Sequence, residues 1–139
     1  MYKNVLVAID GSDNSKRAAE HASHIAFMNS ESKVDLLYVL DNSRNRSDIL
    51  PIIERDDLHT DREKGIIPIE EIFIHKNIDH KLIIKHGDPG PTIISFANAG
   101  NYDLVVIGSR GLNSFQEMIL GSVSHKVAKR VHTPVLIVK

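Results

Sequence analysis

Short apolar runs alternate with longer amphipathic stretches along the chain. The short runs are 4–10 (NVLVAID), 33–41 (KVDLLYVLD), 80–87 (HKLIIKHG), 102–109 (YDLVVIGS) and 133–139 (TPVLIVK). Each is rich in Val, Ile or Leu and bounded by Gly, Pro, Asp or Asn, the pattern of strands buried on both faces. Between them, apolar positions fall at helical spacing. A first helix over about 14–29 carries Ala18, Ala22, Ile25 and Ala26 on one stripe, with Ser12 or Asp13 available as cap and Asp13 favoured. A second covers roughly 59–77, where Gly65 and Pro68 weaken the first half and Pro68 offers an alternative start. A third, about 90–100, has Asp88 and prolines as start signals and Gly100 as stop. The last, about 122–132, puts Val123, Val127, Ala128 and Val131 on one face, with Lys126, Lys129, Arg130 and His132 towards the end where cations suit the helix dipole.

Strand–helix alternation repeated four times and closed by a fifth strand predicts an α/β fold, a doubly wound parallel sheet covered on both faces by helices. The length of 139 residues suits a single domain over 1–139, since domains of ~100–150 residues are the commonest size. The segment 42–58 fits neither period. Its Ser, Asn, Arg and Asp content predicts a mobile loop with a small apolar knot at 49–53.

Charge and composition narrow the chemistry. With 17 basic and 18 acidic side chains the formal net charge is −1, which gives no electrostatic case for nucleic acid or an anionic membrane. Any anion must be held by local geometry. There is no cysteine, which removes disulfides, thiolate catalysis and Cys-based zinc sites. Met1-Tyr2-Lys3 runs straight into the first apolar segment without a secretory h-region, and no run approaches the ~18 apolar residues of a membrane span. A cytoplasmic location is the expectation.

In an open sheet of this class, ligands bind beyond the carboxyl ends of the strands. Of the strand-to-helix turns, only the fourth is patterned in glycine: Gly108, two residues, Gly111, nine residues, then Gly121-Ser122. Glycine lets an anion approach backbone N–H groups, and a helix start adds unpaired donors with partial positive charge. The hydroxyls of Ser122 and Ser124 add further donors. A P-loop is excluded because Ser122, not lysine, follows Gly121; a dinucleotide fingerprint is excluded because the first turn holds only Gly11. On these residues alone, a phosphate cradle and a tight turn remain equal readings.

The surrounding segments add to the spacing. KNVLVAIDGSDNSKRAAEHA, LLYVLD, GDPGPTIISFANAGNYDLVVIGSRG and LGSVSHKVAKRVHTPVLIVK together resemble the universal stress protein family from end to end, and the Gly108–Gly111–Gly121–Ser122 spacing looks like that of its ATP-binding branch. The resemblance implies a five-stranded sheet of order 3-2-1-4-5, a homodimer, and ATP with Mg²⁺ held across strands one and four. It further implies that Ala8, Ile9 and Asp10 wall the adenosine, with Asp10 near the ribose, and that the Val39 backbone meets adenine. Gly108, Ser109, Arg110 and Gly111, with Leu112 to Ser114, would wrap ribose and phosphates, while Gly121, Ser122, Val123 and Ser124 hold the phosphates. Asp10 is also the carboxylate nearest to hand for Mg²⁺. The polar, Arg-rich 42–58 segment and the short second helix depart from the family pattern where a lid over the nucleotide would lie.

Bland readings stand beside these. Arg110 can be a solvated side chain, and Val39 a core residue by its side chain. His21 and His24, three apart on the first helix, lack a paired carboxylate and read as exposed positions rather than metal ligands. His125 lies near the phosphate helix without the partners a general base needs. A phosphorylated receiver is discarded because the third strand ends in His86-Gly87-Asp88 and the fifth ends the chain at Lys139. The apolar edge strand 133–139 is the expected dimer contact. The functional expectation is a nucleotide-dependent stress or regulatory protein; a slow ATPase or nucleotide-transfer enzyme in the same pocket, and a stress protein that binds no nucleotide, are the alternatives.

Overall fold

The two most apolar segments of the chain, around Val5 and Val105, lie side by side at the middle of a five-stranded sheet. The computed structural model describes residues 2–40, 52–111 and 120–139, with side chains of the second helix described from Lys64 onward. The elements are β1 (Asn4–Ile9), α1 (Asp13–Phe27), β2 (Lys33–Leu40), α2 (Ile52–His75), β3 (Asp79–His86), α3 (Pro89–Ala99), β4 (Leu104–Gly108), α4 (Ser122–Arg130) and β5 (Val135–Val138). All neighbouring strands pair in parallel, in the order β3-β2-β1-β4-β5.

Alternation along the central strands sends side chains to two separate cores. Val5, Val7 and Ile9 of β1 pack with Val34, Leu36 and Tyr38 of β2 beneath Ala18, Ala22 and Ala26 of α1 and Ile66, Ile69 and Phe73 of α2. On the other face Leu6 and Ala8 join Leu37, Val105 and Ile107 beneath Ile93 and Ala97 of α3, Val127 of α4 and Val131 at its end. The small alanine stripe of α1 lets that helix lie close on the sheet, where β-branched strand residues fill the space.

Four expectations need correction. The second helix starts at Ile52 and runs through both Gly65 and Pro68 to His75. Of the segment expected to be a loop, 42–51 lies outside the described residues and 52–58 is helical. β3 is not buried on both faces: it is an edge strand, and Lys81, Ile84, Lys85 and His86 are exposed. On α4, Ala128 faces solvent, and Ser124 with Val127 takes the buried side.

Candidate functional site

The carboxyl ends of β1 and β4 meet the starts of α1 and α4. At β1 the chain leaves Ile9 and turns through Asp10 and Gly11 into Ser12. Gly11 holds φ +84, in the left-handed region that glycine adopts without strain. Asp10 Oδ1 accepts the Ser12 N–H at 2.9 Å, and Ser12 Oγ accepts the Ser15 N–H at 3.2 Å. Ser12 is therefore the N-cap, and Asp13, favoured from sequence, is the exposed first residue of the helix. With α1 capped by its neighbour, the half-buried Asp10 carboxylate stands at the strand end.

The glycines of the fourth turn each have a packing reason. A Cβ on Gly108 would lie 2.9 Å from the carbonyl carbon, Cβ and carbonyl oxygen of Asn14, so this glycine lets β4 end against the first turn of α1. A Cβ on Gly111 would lie 2.5 Å from Asp10 Oδ2, which brings the fourth turn onto the first. Gly121 donates its N–H to the Ser109 carbonyl at 2.6 Å, and Ser124 Oγ donates to the same carbonyl at 2.8 Å. Ser109 itself is buried and gives its N–H to the Val138 carbonyl at 2.7 Å. The start of α4 is thus fastened to the end of β4.

That fastening sets the helix start at the carboxyl end of the sheet. Gly121 is the N-cap, no side chain among the described residues caps the helix, and its first turn holds no acidic residue. The N–H groups of a helix's first turn lack intrahelical partners, and with the helix dipole they favour an anion. Ser122 is exposed there and Val123 half-buried, beside a half-buried Arg110.

The register brings the expected site residues to one end of the sheet. Ala8 pairs with Ile107, so Ile9 and Asp10 run level with Gly108 and Ser109. Ile9 pairs with Tyr38, so Val39 lies one step on, beside Asp10. Ala8 and Ile9 are buried, with side chains committed to the two cores, and face the strand end only through their backbone. Val39 is half-buried against the second core. Leu112 to Ser114 lie outside the described residues. His21, His24 and His125 are exposed, and no group of three or more His, Cys, Asp or Glu side chains among the described residues could hold a metal ion.

Two participants escaped the sequence reading. Asn14 is buried and packs on Gly108. Gly65 of α2 meets Gly11, a Cβ on Gly65 falling 3.0 Å from Gly11 Cα. For Gly65 the available signal was a glycine inside a helical pattern, which calls for a packing reason; Asn14 carried none.

Among the described residues no helix is long and apolar enough to cross a membrane. The profile of the universal stress protein family matches residues 1–139. The universal stress protein YxiE of Bacillus subtilis (strain 168) is 33% identical over 149 aligned residues, spanning 100% of each chain. Of solved structures, MJ0577 of Methanocaldococcus jannaschii superposes with a TM-score of 0.86 at 27% identity, over 100% of this chain and 96% of that one. A universal stress protein in complex with cAMP superposes with a TM-score of 0.71 at 27% identity, over 99% of this chain and 97% of that one. A full-length family match and an end-to-end relative agree with the sheet order and the strand-end geometry: the chain belongs to the universal stress protein family.

Proposed function

We propose that the chain is an ATP-binding universal stress protein, a nucleotide-dependent regulator with its ligand lying across the ends of β1 and β4. The start of α4 carries the proposal: a helix without first-turn acid or a side-chain cap among the described residues, fastened at Gly121 to the Ser109 carbonyl and close to Arg110. Phosphate oxygens would take the first-turn N–H groups of Ser122 and Val123 and the Ser122 hydroxyl, with Arg110 adding charge. Asp10 would accept from a ribose hydroxyl, Val39 would meet adenine through its backbone, and the Ala8–Ile9 backbone would close the floor. Gly108, Gly111 and Gly121 would bring the backbone close; Ser109 and Ser124 would brace it from beneath. Mg²⁺ bound with ATP would neutralise phosphate charge, with Asp10 the nearest carboxylate of the set.

The universal stress protein solved with cAMP makes the cyclic nucleotide the competing ligand. It shares adenosine with ATP but carries one phosphate, so it would use the Asp10 side of the site more than the start of α4. Pairing of β5 with a second copy would cover the apolar edge strand and give a homodimer. Extraction and chromatography of nucleotide from freshly purified protein, followed by titration with Mg-ATP and with cAMP, tests the proposal. ATP as the carried or tighter ligand supports it. ADP accumulating with time would turn the reading towards a slow ATPase.

A further inference from the structure

The Asp10 turn is enclosed by more than the two strand ends. Gly111 approaches the Asp10 carboxylate from the β4 side. From the opposite side comes α2, backbone against backbone: a Cβ on Gly65 would lie 3.0 Å from Gly11 Cα and 3.1 Å from the Gly11 carbonyl oxygen. Both partners are glycine, and Gly11 holds a positive φ. Helix formation alone disfavours this segment of α2, which places glycine and proline three residues apart inside a helix. The close approach supplies the reason for the glycine.

The contact also fixes where α2 stands. Ile66, Ile69 and Phe73, following Gly65, are buried in the first core and hold the helix on the sheet. Helix upstream of Gly65, from Ile52, adds about 20 Å beyond the contact. Any shift of the Asp10 turn is therefore met by α2 at Gly65, next to a segment anchored in the core.

We propose that Gly65 is a positioning residue of the nucleotide site, seating α2 against the Asp10 turn so that the helix forms a third side of the site and responds to its occupancy. This rests on the nucleotide reading above. Calorimetric titration of Mg-ATP into the wild-type chain and Gly65→Ala, with thermal melts of both without ligand, tests it. The variant is expected to bind about tenfold more weakly, the cost of a small misplacement of a contact group, while staying folded at the titration temperature, because the better helix propensity of alanine offsets part of the strain its Cβ places on the Gly11 backbone. Hydrogen exchange on the wild-type chain is expected to slow at 64–66 as well as 10–12 when ATP is added.

Equal affinity of Gly65→Ala and wild type overturns the proposal, as does slowed exchange confined to the strand ends and the start of α4. If the variant is too unstable to titrate, the exchange experiment decides. A wild-type chain that takes up no ATP overturns the nucleotide reading and this inference with it. The wild-type titration alone separates that failure from a failure of Gly65.

Discussion

Ser122 and Ser124 stand two positions apart at the start of α4, and sequence treats them alike as hydroxyl donors to phosphate. The structure separates them. Ser124 is buried and spends its proton on the Ser109 carbonyl, while Ser122 is exposed. Ser124→Ala is expected to lower stability by about 1 kcal/mol, the usual worth of one such hydrogen bond. Ser122→Ala should leave urea unfolding nearly unchanged and weaken ATP binding. Denaturation and titration of both variants check the contrast. The glycines teach the same lesson: their spacing was legible, but Gly108 is glycine because Asn14 is in the way and Gly111 because Asp10 is. Such reasons depend on contacts between distant segments, which no local pattern records.

At the scale of elements, β1 and β4 were legible because strands central to a parallel sheet carry unbroken apolar runs, and α1 because its alanines keep one stripe. α2 was not. Its apolar residues surround the helix, with Ile67 and Ile74 exposed while Ile66, Ile69 and Phe73 are buried, so periodicity gave no clear start and Gly65 and Pro68 read as breaks. Elements are also joined by polar contacts that sequence does not pair. Tyr102, just before β4, donates its hydroxyl to Asp35 of β2 at 2.7 Å. Burial first, then this bond and the charge of Asp35, push the Tyr102 phenol well above its ordinary range. A phenol held protonated in the fold contributes stability that is complete below its unfolded pKa of about 10 and is lost as pH rises towards the raised folded value. Tyr102→Phe is expected to cost about 1 kcal/mol at neutral pH. The gap between variant and wild type should narrow in melts taken above pH ~10.

The whole molecule presents β5 at one edge of the sheet, with Val135, Leu136 and Ile137 half-buried. Val105 donates to the Pro134 carbonyl and Ser109 to that of Val138, so strand alternation turns the backbone groups of Val135 and Ile137 outward. Proline is tolerated on an edge strand where its missing N–H faces away from the sheet. If the chain pairs with a second copy through β5, as proposed, Ile137→Pro is expected to keep the fold, by circular dichroism, and to shift light-scattering mass from two chains to one. A variant that stays dimeric would place the contact elsewhere. Whether the start of α4 and the Asp10 turn hold one nucleotide, as proposed, is tested most directly by calorimetric titration of Mg-ATP into the wild-type chain and Gly121→Val. A Cβ on Gly121 already meets the Ser109 carbonyl oxygen at 3.3 Å, so the bulk of valine must fill the approach to the helix start. Saturable binding of one ATP per chain to the wild type, lost in a folded Gly121→Val, is the predicted result; no binding by the wild type at millimolar ATP, or equal binding by both, would contradict it.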